Sequence, residues 1–263
     1  VGRRLPFCSG RSNSKNAMKI EIPTQLKREI YLSDATSFLS QLEKESVDLI
    51  LIDPPYVSTK EKWDQVDAIT LELCEQIHRT LKSSGNLYCW CGIGEKSNCL
   101  LRWMPIFNSR LYFKDLITWQ KRRGIGMRKG WLYTREECLW YVKNNKEFYW
   151  NEQNQYSNEP NVFKKGMSGT EVKPFKRLTN VWTDIPEELK RAEKIEHYTP
   201  KQLELLRRII RVACPPNGLT VDCFLGSGST AIACAELGVN FMGCDIEYDF
   251  VKLSRKRLHD HGY

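Results

Sequence analysis

Asp53-Pro54-Pro55-Tyr56 follows directly on residues 47–52 (VDLILI), a run that is apolar at every position but Asp48. Within four residues it gathers a carboxylate, backbone carbonyls whose peptide units carry no N–H because of the prolines, and an aromatic ring. This grouping suits an exocyclic NH2 on a flat heteroaromatic ring. The Asp53 carboxylate and a Pro54 carbonyl take the two N–H bonds, and Tyr56 stacks on the ring. A plain rigid turn is the competing reading. A second grouping begins about 170 residues later, at residues 222–230 (DCFLGSGST). Gly226 and Gly228 let the backbone bend tightly and approach a ligand. A helix starting at Ser229 and Thr230 offers unpaired N–H groups to a carboxylate or phosphate. Asp245, about 20 residues further on, is spaced to accept hydrogen bonds from ribose hydroxyls. A triphosphate-binding loop is excluded, because Gly228 stands where that motif needs lysine. The chemistry indicated is a nucleoside cofactor.

Two groups so far apart need a frame that brings them to one edge. Residues 47–52 read as a strand buried on both faces, as in the middle of a parallel sheet. A strand precedes it at Ile30-Tyr31-Leu32, and a helix at residues 35–42 with Phe38, Leu39 and Leu42 on one face. Residues 69–81 carry Leu73, Ile77 and Leu81 at four-residue steps, a helix. A strand follows at residues 86–91, then two more at 111–119 and 138–142, a candidate antiparallel pair. Residues 144–196, rich in Asn, Lys, Glu and aromatics, have little period and read as a functional insertion. Thr199 as cap, Pro200 in the first turn and Gln202 closing a capping box then start a helix that buries Leu203, Leu206, Ile210 and Ala213. Strand 219–224, helix 229–237, strand 240–245 and helix 248–259 complete the chain. This alternation predicts an α/β fold, an open, doubly wound, mostly parallel sheet with helices on both faces.

The chain has 263 residues and a formal net charge of +8, from 40 basic and 32 acidic side chains. Residues 1–17 hold Arg3, Arg4, Arg11 and Lys15 and no acid. They are expected to be a disordered leader or non-native tail, leaving residues 18–263 as the domain. From Arg110 to Arg135 there are eight basic residues and a single acid, Asp115. One concentrated basic stretch on a mildly charged chain fits a nucleic-acid footprint. No apolar run approaches the roughly 18 residues of a membrane-spanning helix. The ten cysteines fall mostly in apolar runs with no CxxC, and there are four histidines. A structural metal is therefore not expected, and a reducing compartment is.

Asp53-Pro54-Pro55-Tyr56 after a buried strand, with Phe224-Leu225-Gly226-Ser227-Gly228 late in the chain, resembles the DNA amino-methyltransferases of restriction–modification systems. The order of motifs, catalytic first and cofactor last, resembles their β group. The likeness runs from about Glu29 to Leu258. His197-Tyr198-Thr199-Pro200-Lys201 looks like the cofactor motif before the capping helix, and Ile117-Thr118-Trp119-Gln120-Lys121-Arg122 like the strand leading into DNA contacts. Val57 departs from the pattern, where many relatives have a small polar residue.

The resemblance implies a seven-stranded, circularly permuted methyltransferase sheet with a target-recognition region inserted at residues 121–190. It implies S-adenosylmethionine as cofactor, with no metal. Phe224, Gly226 and Gly228 would line its methionine end, Ser229, Thr230 and Lys201 would meet its carboxylate, Asp245 its ribose and Asp34 its adenine. Lys121, Arg122, Arg123, Arg128 and Lys129, interleaved with Trp131 and Tyr133, would contact double-stranded DNA. The segment 57–68 would close over a flipped-out base. The implied reaction is methylation of adenine N6, because cytosine-specific members more often carry Ser where Asp53 stands. N4-cytosine methylation is the alternative. An RNA or glutamine-amide target, where Asn is more usual at that position, and a catalytically idle DNA-binding module are further ones. A homodimer and a cognate restriction endonuclease are the partners it allows, in the cytoplasm of a bacterial, archaeal or phage-infected cell.

Overall fold

The computed structural model describes residues 27–57, 67–94, 97–125, 129–161, 173–187 and 200–263, without the side chains of residues 122–125. In chain order the elements begin with β1 (Arg28–Leu32), α1 (Ala35–Gln41), β2 (Val47–Ile52), α2 (Leu71–Thr80), β3 (Leu81–Cys91) and α3 (Cys99–Asn108). Next come β4 (Tyr112–Ile125), β5 (Tyr133–Val142), a 3-10 turn at Glu152–Gln155, β6 (Tyr156–Pro160), β7 (Phe175–Arg177) and β8 (Val181–Trp182). The chain ends with α4 (Leu203–Ala213), β9 (Leu219–Asp222), α5 (Ser229–Glu236), β10 (Asn240–Asp245) and α6 (Tyr248–Asp260).

The main sheet has eight strands in the order β1-β10-β9-β2-β3-β5-β4-β8. Its left part is parallel from β1 to β3, and β5 runs antiparallel to both β3 and β4. The expected count of seven is corrected to eight. The extra strand, β8, is two residues long and pairs with β4 through Thr118 and Trp119. So short a strand has no periodicity to read.

Strand alternation divides the core in two. On β2, Leu49 and Leu51 point to the face covered by α4, α5 and α6, together with Tyr88, Trp90 and Cys138. Val47, Ile50 and Ile52 point to the other face, against Phe38 of α1, Ile77 of α2 and Trp103 of α3. Every residue of β2 is therefore buried, Asp48 included. Asp48 is accommodated because its carboxylate takes the Lys82 ammonium at 2.8 Å and the Leu219 N–H at 2.9 Å.

Two helices differ from the sequence reading. Helix α3 is unanticipated: Cys99, Trp103 and Phe107 recur at four-residue steps and are buried, but Pro105 in its middle masks the signal. Proline there deprives the Leu101 carbonyl of its donor, and Leu101 stands on the solvent side, 70% exposed. Helix α4 starts at Leu203, not within the 199–202 capping box. Gln202 takes the N-cap position without a side-chain bond, in extended backbone. The expected cap residue, Thr199, lies outside the described residues. The extended start of this segment is what lets Lys201 reach inward, as described below.

Candidate active site

The strand order reverses between β9 and β2, which is where open α/β sheets leave a crevice beyond their carboxyl ends. In the β2–β9 register Ile50 lies opposite Val221. Carried forward three residues, Asp53 falls opposite Phe224. The two chemical groups of the sequence thus meet at one point because β9, late in the chain, inserts beside β2. The β4–β5 hairpin reaches the same edge from the other side. Cys91, at the end of β3, is level with Glu137, and Trp119 with Glu136.

At this edge Asp53 and Tyr56 come together with three residues from distant elements. The Tyr56 hydroxyl lies 2.5 Å from Asp53 Oδ1 and 3.0 Å from Glu136 Oε1, in reach of both as donor. Lys201, ahead of α4, places its ammonium 3.0 Å from Asp53 Oδ2 and 2.5 Å from Glu136 Oε1. Lys121 closes the group at 2.7 Å from Glu136 Oε2. The Trp90 ring lies 4.7 Å from the Lys201 ammonium and the Trp119 ring 5.1 Å from that of Lys121. Burial pushes the Glu136 carboxyl up, but Lys201 and Lys121 outweigh it and hold it at about 2. Burial likewise works against the charge on Lys201, and Asp53 and Glu136 overcome it, so its pKa is raised. Burial, then Asp53 and Glu136, raise the Tyr56 phenol well above its ordinary value. The site is a compact, charge-balanced set of two carboxylates and two ammonium groups around one phenol.

Lys201, expected at the cofactor carboxylate, here pairs with Asp53 and Glu136. Lys121, expected on DNA, is tied to Glu136. Glu136 itself was absent from the sequence reading. The available signal was an acidic pair, Glu136-Glu137, ending the most basic stretch and opening an apolar strand. Helix α3 supports the site from behind. Arg102 donates to the Tyr56 carbonyl at 3.3 Å and pairs with Asp67 at 2.6 Å, and Trp103 Nε1 donates to Asp67 at 2.7 Å. The Tyr56 ring packs so closely on Gly92 that a Cβ there would sit 3.0 Å from Tyr56 Cδ2.

The glycine turn lies across the switch point. Gly226 has φ +52° with open space where a Cβ would stand, whereas Gly228, at φ +82°, would place one 2.7 Å from Ser254 Cβ of α6. The first glycine leaves room beside the turn, and the second permits helix packing. Asp245 Oδ2 accepts the Gly226 N–H at 2.8 Å, and Arg257 donates to the Ser227 carbonyl at 2.6 Å. Asp222 beneath the turn accepts the Phe224 N–H at 3.0 Å. Burial pushes its carboxyl up to about 7, against the opposing pull of Thr230 and the Phe224 N–H. Ser229 Oγ is buried with no hydrogen-bond partner among the described residues. An orphan hydroxyl at a helix N-terminus, beside an open glycine turn, fits the polar amino-acid end of a ligand. Asp34, at the end of β1, is exposed and caps α1 by accepting the Ser37 N–H at 2.9 Å. Neighbouring Ser33 donates its N–H to the Asp245 carbonyl, so Asp34 lies beside the same edge.

Lys129, Trp131 and Tyr133 are exposed on the hairpin, Trp131 at 94%. The side chains of Arg122, Arg123 and Arg128, the segment 58–66 with Trp63, and His197-Tyr198-Thr199 lie outside the described residues. A separate cleft of about 480 Å³, walled by Tyr88, Trp140, Phe148, Trp150 and Trp182, opens lower on the α4 face. None of Asp53, Tyr56, Lys121, Glu136 and Lys201 lines it. Among the described residues no group of His, Cys, Asp or Glu could hold a metal ion, and no helix is long and apolar enough to cross a membrane.

The family model for N6/N4 DNA methylases matches residues 47–256, and the chain belongs to that family. The type II methyltransferase M1.MboII of Moraxella bovis is 30% identical over 244 residues, covering 84% of this chain and 93% of the relative. Among solved structures, the M1.HpyAVI–SAM complex superposes with a TM-score of 0.59 at 24% identity, covering 88% of this chain and 99% of that one. The PvuII DNA methyltransferase (cytosine-N4-specific) gives 0.65 at 14% identity, covering 88% and 90%. These two likenesses are of fold. The protein is an S-adenosylmethionine-dependent DNA amino-methyltransferase of the restriction–modification kind.

Proposed function

We propose that this enzyme methylates the N6 amine of adenine, flipped out of double-stranded DNA into the site around Asp53 and Tyr56. The carrying observation is the placement of the Asp53 carboxylate and the Tyr56 phenol beside the glycine turn, at the point where the sheet order reverses. S-adenosylmethionine supplies an electrophilic methyl whose bond to sulfur breaks as the bond to nitrogen forms, leaving a neutral thioether. The amine lone pair is delocalised into the ring and is a poor nucleophile. Hydrogen bonds from its N–H groups to Asp53 and a Pro54 carbonyl favour sp3 character and concentrate the lone pair on nitrogen. Asp53 then lies in line to take the proton that the amine must shed. The protein's contribution is positioning and electrostatics. Unstacking the base costs a few kcal/mol, and Tyr56 stacking offsets part of it.

Phe224, Gly226 and Gly228 are assigned to the methionine end of the cofactor. Ser229, with its orphan hydroxyl, and Thr230 are assigned to the cofactor carboxylate, Asp245 to ribose and Asp34 to adenine. Arg122, Arg123, Arg128 and Lys129 are assigned to DNA. Residues 121–190 are the proposed recognition region. An acid rather than serine at position 53 favours adenine over cytosine.

Digesting DNA methylated by the enzyme to nucleosides identifies the product. N6-methyl-2′-deoxyadenosine is expected, and N4-methyl-2′-deoxycytidine would replace this reading with the cytosine one. A protein that binds DNA but gives no calorimetric signal with the cofactor would be an idle binding module.

A further inference from the structure

Glu136 belongs to neither chemical motif of the sequence, yet it touches three of the residues at the acceptor site. We propose that Glu136 is a positioning residue for methyl transfer, which takes the Tyr56 hydroxyl from Asp53 when the target amine arrives and holds Lys201 beside that carboxylate. The proposal rests on the reading of Asp53 as acceptor of the amine.

Both oxygens of Asp53 are occupied, Oδ1 by the Tyr56 hydroxyl and Oδ2 by Lys201. A carboxylate oxygen accepts two hydrogen bonds, so an incoming N–H can share Oδ1 with the phenol, and it gains the full charge of that oxygen when the phenol turns away. A phenol has a single hydrogen and serves one acceptor well at a time. The Tyr56 oxygen is 2.5 Å from Asp53 and 3.0 Å from Glu136, so turning the O–H suffices to change partners. Because the second acceptor is also a carboxylate, the exchange gives up little. Asp53 Oδ1 is then free for the amine, and Lys201, bound to both carboxylates, keeps Oδ2 in place.

The groups facing Glu136 are Asp53 and Tyr56 after β2, Cys91 at the end of β3, Lys121 on β4, Cys138 on β5 and Lys201 before α4. The two ammonium groups keep Glu136 anionic. It is therefore a hydrogen-bond acceptor throughout the reaction, not a proton acceptor.

The test measures transfer of labelled methyl groups to unmethylated bacteriophage DNA for Glu136→Gln in the native and Tyr56→Phe backgrounds. In the native background kcat should fall about 10- to 100-fold, the scale of one hydrogen bond to a charged group. Calorimetric affinity for the cofactor should not change. In the Tyr56→Phe background, where no hydroxyl competes for Asp53, the added loss should shrink to about 3-fold or less. The double variant Glu136→Gln/Lys121→Gln restores the charge balance and guards against a folding defect. It should bind cofactor and remain slow.

Equal losses in both backgrounds, or recovered turnover in the double variant, would each overturn the role of Glu136. Failure of the native enzyme to transfer methyl groups to DNA would overturn the reading of Asp53 as well, which separates the two claims.

Discussion

At the scale of single residues, Asp53 is the side chain on which the proposed chemistry turns. Asp53→Ala should abolish methyl transfer while leaving cofactor affinity nearly intact, because the turn proposed for the cofactor is held by Asp245 and Arg257. Turnover measured beside a calorimetric titration separates the two, and near-native turnover would remove Asp53 from its role. Asp222 predicts a pH dependence of stability. Its folded pKa of about 7 stands above the ~3.9 of an unfolded chain. The folded state thus keeps a proton that the unfolded chain has released, and stability rises wherever the unfolded state binds more protons and falls in the opposite case. The contribution is complete below the unfolded value and is lost as pH rises through about 7. Asp222→Asn cannot titrate, so its melting temperature should decline less than the native one between about pH 5 and pH 8. Parallel curves would mean that Asp222 is already ionised in the fold.

At the scale of elements, the glycine turn and the β4–β5 hairpin each carry a prediction. Gly226 and Gly228 both have positive φ, but only Gly228 is pressed against α6, through Ser254. Gly226→Ala should cost about 1–2 kcal/mol, the backbone penalty alone, and Gly228→Ala about 2–4 kcal/mol, with overpacking added. Denaturant unfolding without cofactor reads both, and an equal cost would mean that α6 gives way. On the hairpin, neutralising Arg122 and Arg123 together should make the slope of log DNA affinity against log salt shallower by about 2. Lys121→Gln should leave that slope unchanged, because its ammonium is engaged by Glu136 at 2.7 Å. A slope altered by Lys121 and not by the arginines would move the DNA path across the mouth of the site.

At the scale of the whole molecule, the charge is unevenly spread. Residues 1–17 carry four basic side chains and no acid, half of the net +8. Their removal should leave fold and methyl transfer intact and should weaken non-specific DNA retention, with a shallower salt dependence. Activity and filter retention of the shortened chain check this, and loss of folded protein would show that these residues belong to the domain. The two-faced core explains why the sheet can carry the site without disulfides. Nine described cysteines are buried and free. Of the two core layers, one is closed by α4, α5 and α6 and the other by α1, α2 and α3.

The amino-acid sequence alone determined whatever depends on near neighbours. The apolar run of β2 announces a strand buried on both faces, the four-residue steps of α2 a helix, and the glycines with their following helix a turn open to a ligand. Asp53 and Tyr56, three positions apart, could be read as one site because local geometry holds them together. Only the tertiary structure decided what joins them. Glu136 and Lys201 lie 83 and 148 positions beyond Asp53. They reach it because β5 runs antiparallel to β3, which brings Glu136 to the carboxyl edge, and because α4 starts late, which leaves Lys201 on extended chain. Helix α3 was hidden by its proline and β8 by its brevity. Periodicity records which side of an element is buried, but not which elements become neighbours. The pairing of opposite charges under a shared burial is settled by sheet order and register, and these are properties of the folded chain.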